Sequence, residues 1–263
     1  MKHIIIPFID LAEMTIGAAE DALRQGDVDQ VTVILADNGS SPHEMDKVQA
    51  WQSATWDRIN NTWWRDAPGT LDDVWNMALR FCWDLGATEA LVMNNDSRIH
   101  PETYNRLHSV MFFSNALMVT AVNVGEVPAE LPSGEALQLS PRGGPDYSCF
   151  LISRECHEKY PFDPAFTYLG DLDHHRRIML GGDGHRIFSV PVGYHHLASQ
   201  TIKHSPIAAA RHAIENPKHQ AEYFAKWGGP ANEEVYWEAY APSTDPTRYT
   251  KTPDLQHKGL WRK

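Results

Sequence analysis

The chain has 263 residues, 42% hydrophobic and 22% charged, with a formal net charge of -11. These proportions suit one large globular domain or a domain with an appendage, and without a long basic block the charge disfavours bulk nucleic-acid binding. Three cysteines, Cys82, Cys149 and Cys156, show no CxxC spacing, so neither a disulfide framework nor a zinc knuckle is expected. The apolar part of "MKHIIIPFID" is short for a signal peptide and no run reaches the length of a membrane span, so the expectation is a cytoplasmic protein without a transmembrane segment.

Along the chain, "HIIIPF" is a β-branched run stopped by proline, and "LAEMTIGAAEDALRQG" carries apolar residues at helical spacing up to Gly26. "QVTVILADNGSS" is a second buried strand that dissolves into the turn formers Asp37, Asn38, Gly39 and Ser40. A short strand near residues 61–65, the helical "TLDDVWNMALRFCWDLG" and the strand "EALVMNND" follow. Strands alternating with helices predict a mostly parallel sheet with helices on its faces. Further on come the helix "ETYNRLHSVMFFSNALM", the strand "MVTAVNVG", a surface excursion over residues 126–145 and the strand "YSCFLISRE". A helix carrying Asp171, Asp173, Arg176 and Arg177 and a last strand "RIFSVPVGYHH" close this part. Ser205 and Pro206 make a helix start, Pro217 is expected to interrupt or end that helix, and the tail from residue 241 reads as surface. The expected division is residues 1–204 as the main domain and 205–263 as a helical extension and tail packed on it.

One stretch asks for a ligand. "LVMNNDSRIHP" ends an apolar strand in Asn94, Asn95 and Asp96, and in open α/β sheets ligands sit at strand ends. Asp37, Asp96 and His196 all stand at such ends. Each alone reads equally as a turn former, but a carboxylate and an imidazole brought together suit Mg²⁺ or Mn²⁺ shared with a phosphate-bearing substrate.

The order of these short motifs resembles the inverting nucleotide-sugar glycosyltransferases of family 2, which have the GT-A fold, over residues 3–201. The matching positions are Pro7 and Asp10 after the opening strand, the turn Asp37-Asn38-Gly39-Ser40, then Gly69 and Asn76, then the "NND" ending in Asp96. Phe162-Asp163, Asp171, Asp173, Arg177 and a closing His196 with Thr201 complete the series. Gly170 stands where the pattern has an acidic residue before Asp171, and Asp10 where asparagine or threonine is commoner.

The resemblance implies a GT-A (Rossmann-like) α/β fold, a mostly parallel sheet flanked by helices with a C-terminal helical extension. It implies metal-assisted transfer from a nucleotide sugar, UDP-linked by expectation, to a glycan, a protein or a modified nucleobase. Asp96 and His196 are the expected ligands of Mn²⁺ or Mg²⁺, and Pro7, Asp10, Asp37, Asn38, Gly69, Asn76 and Asn95 the donor-binding set. Asp171 is the expected general base, with Asp173 second and Arg177 beside them. Two alternatives stand against this: a metal-dependent hydrolase whose cage uses His174, His175, His195 and His196 with Asp171 and Asp173, and a catalytically silent sugar-nucleotide-binding module. Of the tryptophans, Trp51, Trp56, Trp63, Trp64, Trp75 and Trp83 are expected in core or interface, whereas Trp227, Tyr236, Trp237 and Tyr240 would lie over the acceptor site or in a lid helix packed on the sheet.

Overall fold

The computed structural model describes residues 1–27, 30–55, 61–63, 69–127, 129–130, 136–138 and 145–235. In chain order its elements begin β1 (Lys2–Phe8), α1 (Ala12–Leu23), β2 (Val31–Asp37), α2 (Pro42–Ala54), β3 (Asn61–Trp63) and α3 (Leu71–Asp84). They continue with β4 (Glu89–Met93), β5 (Ser97–Ile99), α4 (Thr103–Ser114), β6 (Met118–Val122), β7 (Leu137–Gln138) and β8 (Cys149–Ser153). The last are α5 (Arg154–Lys159), α6 (Gly170–Leu180), β9 (Ile187–Pro191), β10 (Tyr194–His196), α7 (Gln200–His204) and α8 (Pro206–Trp227).

Among the described residues eight strands form one sheet in the order β3-β2-β1-β4-β8-β6-β9-β7. Six run one way and β8 and β7 run against them, so the sheet is mostly parallel. The period-2 alternation of strands explains the layering. Ile4, Ile6, Val33, Leu35, Leu91 and Met93 pack with α1 and α4 on one face, while Ile5, Ile34, Val92, Phe150 and Ile152 pack with α3 and α5 on the other. Each fully buried Ile, Leu or Val side chain contributes about 1.5–3 kcal/mol, and the central strands are buried on both faces. Trp75 and Trp83 lie in the second layer and Trp51 packs against the first. Trp56 and Trp64, the side chain of Trp63, Tyr236, Trp237, Tyr240 and the tail from residue 241 fall outside the described residues.

Several local expectations are corrected. The final strand is two: β9 belongs to the main sheet, whereas β10 leaves it after Gly193 and pairs antiparallel with β5, placing His196 opposite Ser97. Residues 42–54 form α2, residues 97–99 form β5, and α5 takes over where a longer strand was expected. Helix α8 runs through Pro217 without ending. Proline removes one hydrogen bond of the helix ladder, but α8 is tied down on both sides: Ser205 caps its start, accepting from the Ala208 N–H at 3.1 Å, and Trp227, fully buried, ends it.

Helix α3 shows how a local signal positions the site. Thr70 caps it, accepting from the Asp73 N–H at 3.2 Å, and Val74, Trp75, Ala78, Leu79 and Cys82 form its buried stripe. That packing turns Leu71 and Asp72, in its first turn, toward the C-terminal edge of the sheet.

Candidate functional site

The strands β1, β2 and β4 end at one edge, and there the chain opens two adjoining cavities. The first, of about 240 Å³, is lined by Pro7, Phe8 and Ile9 after β1, Asn38 after β2, Asn94, Asn95 and Asp96 after β4, His196 of β10, Thr201 of α7 and Arg211 of α8. The second, of about 450 Å³, is lined by Asp72 and Trp75 of α3, Asp146, Tyr147 and Ser148, and Asp171 and Leu172 of α6. Leu71, Asn94, Thr167 and Tyr168 line both.

The Asn94-Asn95-Asp96 turn answers the question that its sequence raises. The Asn94 N–H donates to the Ser148 carbonyl at 2.9 Å and the Ser97 N–H to the Asn94 carbonyl at 3.1 Å, so the chain turns sharply and leaves Asn95 and Asp96 at the edge. The β5–β10 pairing then brings the His196 ring to Asp96, with Nε2 at 3.1 Å from Oδ1. Ser148 Oγ lies 3.0 Å from His196 Nδ1. Burial, the largest single influence, works against the charged form of His196, but the hydrogen bond to Asp96 together with the charges of Asp96 and Asp146 outweighs it, and the pKa is raised. One carboxylate oxygen and one imidazole nitrogen facing a cavity fit a divalent cation that takes its remaining ligands from phosphate and water, and the Ser148 contact fixes the ring as outer partners of ligating histidines do. Among the described residues no group of three His, Cys, Asp or Glu side chains forms a metal cage.

The expected donor-binding residues divide. Pro7, Asn38 and Asn95 line the first cavity. Asn38 and Gly69 clasp each other: the Gly69 N–H donates to Asn38 Oδ1 at 2.9 Å and Asn38 Nδ2 to the Gly69 carbonyl at 3.1 Å. Arg211 spans both backbones, donating to the Asn38 carbonyl at 3.2 Å and the Gly69 carbonyl at 2.6 Å. Three others are engaged in bonds within the fold. Asp10, in a left-handed conformation at φ 54°, accepts from the Ser41 N–H at 2.7 Å and from Ser205 Oγ, tying the β1–α1 turn to the start of α8. Asp37 accepts from the Ser40 and Gly39 N–H groups at 3.0 and 3.3 Å, the turn-forming role of aspartate. Asn76 holds Phe162 at both N–H and carbonyl, at 3.0 and 2.7 Å, and accepts from His157 Nε2 at 2.9 Å.

Asp171 lines the second cavity, and burial raises its pKa. Asp173 does not line it. Fully buried, Asp173 receives Arg177 Nε at 2.8 Å, Trp227 Nε1 at 3.0 Å and Lys226 Nζ at 2.7 Å. Lys226 also reaches Asp163 at 2.5 Å, so α8 docks on α6 through one buried ion-pair network. Asp173 and Arg177 thus hold the base of the site together instead of facing its space.

The histidine cage expected of a hydrolase does not assemble. His174 sits in the second core layer with its pKa well below the usual range from burial; its Nε2 donates to the Tyr160 carbonyl at 2.8 Å and its Nδ1 accepts from the Tyr147 hydroxyl at 2.7 Å. His175 is buried on another side of α6, its pKa lowered to about 4 by burial, as adjacent residues about 100° apart on a helix require. His195 faces a separate cavity beside Asp21 and Arg98. Sequence reasoning missed Arg211, Tyr168, Asp146 and Asp72: Arg211 and Tyr168 belong to no short motif, and Asp72 in "LDDV" reads as an ordinary first-turn acid.

No family model matches the chain and no curated protein matches its sequence. Solved structures do match its backbone. The mannosyltransferase PcManGT from Pyrobaculum calidifontis, in complex with GDP-Man and Mn²⁺, superposes with TM-score 0.58 at 16% identity over 84% of this chain and 63% of that one. S. aureus TarS residues 1–349 gives TM-score 0.55 at 13% identity over 74% of this chain and 60% of that one. GalNAc-T7 with UDP, GalNAc and Mn²⁺ gives 0.56 at 10% over 74% and 43%. The chain has the GT-A glycosyltransferase fold. It spans 60% of the length of TarS residues 1–349, and its two cavities lie where a GT-A sheet, like other open α/β sheets, presents its strand ends.

Proposed function

We propose that this protein is a glycosyltransferase that moves a sugar from a nucleoside diphosphate sugar, UDP-linked by preference, to an acceptor nucleophile with inversion. The observation that carries this reading is the pair of adjoining cavities, with Asp96 and His196 at one and Asp171 in the other. The first cavity suits the donor: the Asn38–Gly69–Arg211 clasp forms its wall for the nucleoside, and Asp96 and His196 face its diphosphate. These two residues would hold a divalent cation. Such a cation supplies charge stabilisation on the departing diphosphate. Structural neighbours were solved with UDP, UDP-GlcNAc, GDP-Man and Mn²⁺ bound, which supports this ligand class.

In the second cavity Asp171 takes the proton of the attacking group. The acceptor's O–H bond breaks as its oxygen bonds the anomeric carbon, and the bond from that carbon to the diphosphate oxygen breaks with its electron pair leaving on the diphosphate. Burial, by raising the pKa of Asp171, brings the base nearer the pH at which it must accept. The test is thermal shift with a panel of nucleotide sugars in the presence and absence of Mn²⁺, because a ligand binding only the folded state stabilises by RT ln(1 + [L]/Kd). A Mn²⁺-dependent rise for one nucleotide supports the reading; a rise with Mn²⁺ alone and none with any nucleotide favours a hydrolase.

A further inference from the structure

Asp72 is the anomaly of the second cavity. It is only 1% exposed, it lines the cavity beside Asp171, and its Oδ2 has no hydrogen-bond partner. A buried carboxylate left unpaired is among the costliest arrangements a protein can keep. Gly170 makes room for it: a Cβ added there would overlap both carboxyl oxygens of Asp72 and oblige that side chain to move. What glycine supplies here is space and not a special backbone conformation, since its φ is not positive. A carboxyl delivered from α3 occupies the volume that any side chain at the first residue of α6 would take, one residue before Asp171.

We propose that Asp72 is a positioning residue of this site, a neutral carboxylic acid held over the start of α6 that leaves the charge of the pair on Asp171. The proposal rests on the reading of Asp171 as base. The groups facing Asp72 are Asp171, Asp173 and Arg177 of α6 and Asp163 before it; three of the four are acidic, and only Arg177 favours a charged Asp72. Burial first, then Asp173 and Asp171, push the Asp72 carboxyl well above the usual range. Of two carboxyls in one enclosed site the more deeply buried keeps the proton. A neutral Asp72 fills the space over Gly170 without repelling Asp171 and fixes the helix start from which Asp171 projects.

Two measurements on the full chain test this. The first needs no sugar: the pH dependence of thermal unfolding for the wild type and Asp72→Asn. A carboxyl whose folded pKa is raised contributes stability that is complete below about pH 4 and is lost as pH rises through the folded value. The melting temperature of Asp72→Asn should therefore gain on the wild type as pH climbs from 4, and the infrared band of a protonated buried carboxyl should vanish in the variant. A difference that is flat or runs the other way, with the band unchanged, overturns the proposal. The second is release of UDP from UDP-GlcNAc and of GDP from GDP-Man by Asp72→Ala, Gly170→Glu and the double variant. Each single change should slow turnover about 10²-fold, the scale for a misplaced reacting group, and the double variant, which returns a carboxyl to the same volume, should be faster than either. A double variant no faster than the slower single overturns the positioning role. Should the wild type release neither nucleotide, the transfer reading falls for these donors, while the unfolding curves still decide whether Asp72 is neutral.

Discussion

The two cavities differ in how their polar groups are used. Around the first, Asn38, Gly69, Arg211 and Asp96 are bonded to one another or to backbone and Asn95 to the Thr15 and Thr201 hydroxyls, so the wall is shaped before any ligand arrives. Around the second, Asp72 keeps an unpartnered oxygen and the pKa values of Asp72 and Asp171 are raised by burial. Paired polar groups keep a wall in shape; buried carboxyls are pushed above their usual range, the direction that suits both a proton acceptor and a carboxyl that stays neutral. Lys226 and Asp173, just beneath, show the third possibility: buried charges paired with one another that join α6 and α8.

The sharpest way to break this comparison is Asp171→Asn, which keeps the shape and removes the proposed base. Turnover should fall about 10²–10⁴-fold while the donor still binds; measured donor affinity falling in parallel with turnover would place Asp171 in recognition instead. Next in size is Asp173→Ala. Leaving Lys226 and Arg177 in the interior without that carboxylate should cost about 3–5 kcal/mol in urea unfolding, and a variant of wild-type stability with abolished turnover would make Asp173 the base. Asp96→Ala should then remove Mn²⁺-dependent donor binding with the fold intact. His196→Ala should weaken that binding less and His195→Ala hardly at all, since neighbouring strand residues point to opposite faces; calorimetric titration with a nucleoside diphosphate reads all three.

The smallest expected effect concerns pH. His157 and His175 are each lowered to about 4, mainly by burial. A depressed folded pKa means that their contribution is complete above the unfolded value near 6.5 and is lost as pH falls toward about 4. Melting temperature should decline through that window, and His175→Gln should flatten part of the decline.

How far the sequence could be read depended on the range of the interactions. The central strands were legible because burial on both faces leaves continuous apolar runs, and α1, α3, α4 and α6 because their stripes repeat at helical spacing. Helix α2, with Val48 as its only buried residue, carried too weak a stripe to show. Pro217 misled because local propensity counts one lost hydrogen bond, whereas Trp227 stacked on Arg176 at 4.5 Å and the cap at Ser205 hold α8 from both ends.

The site follows the same division. Asn94-Asn95-Asp96 ending a strand, and Asp171 opening a helix, are short motifs, and one sequence sufficed to single them out. Asp10, Asp37 and Asn76 look the same in sequence whether or not they tie down neighbouring backbone; only the positions of Ser41, Ser40 and Phe162 revealed those bonds. The sequence by itself determined which strands are core and where polar residues interrupt them, because those properties depend on neighbours a few residues away. Tertiary structure alone decided that His196 meets Asp96 across the β5–β10 pairing, that Arg211 closes a wall more than 140 residues from Gly69, and that Asp72 fills the space over Gly170. Those are contacts between distant segments, and their geometry is set by packing, which no local pattern encodes.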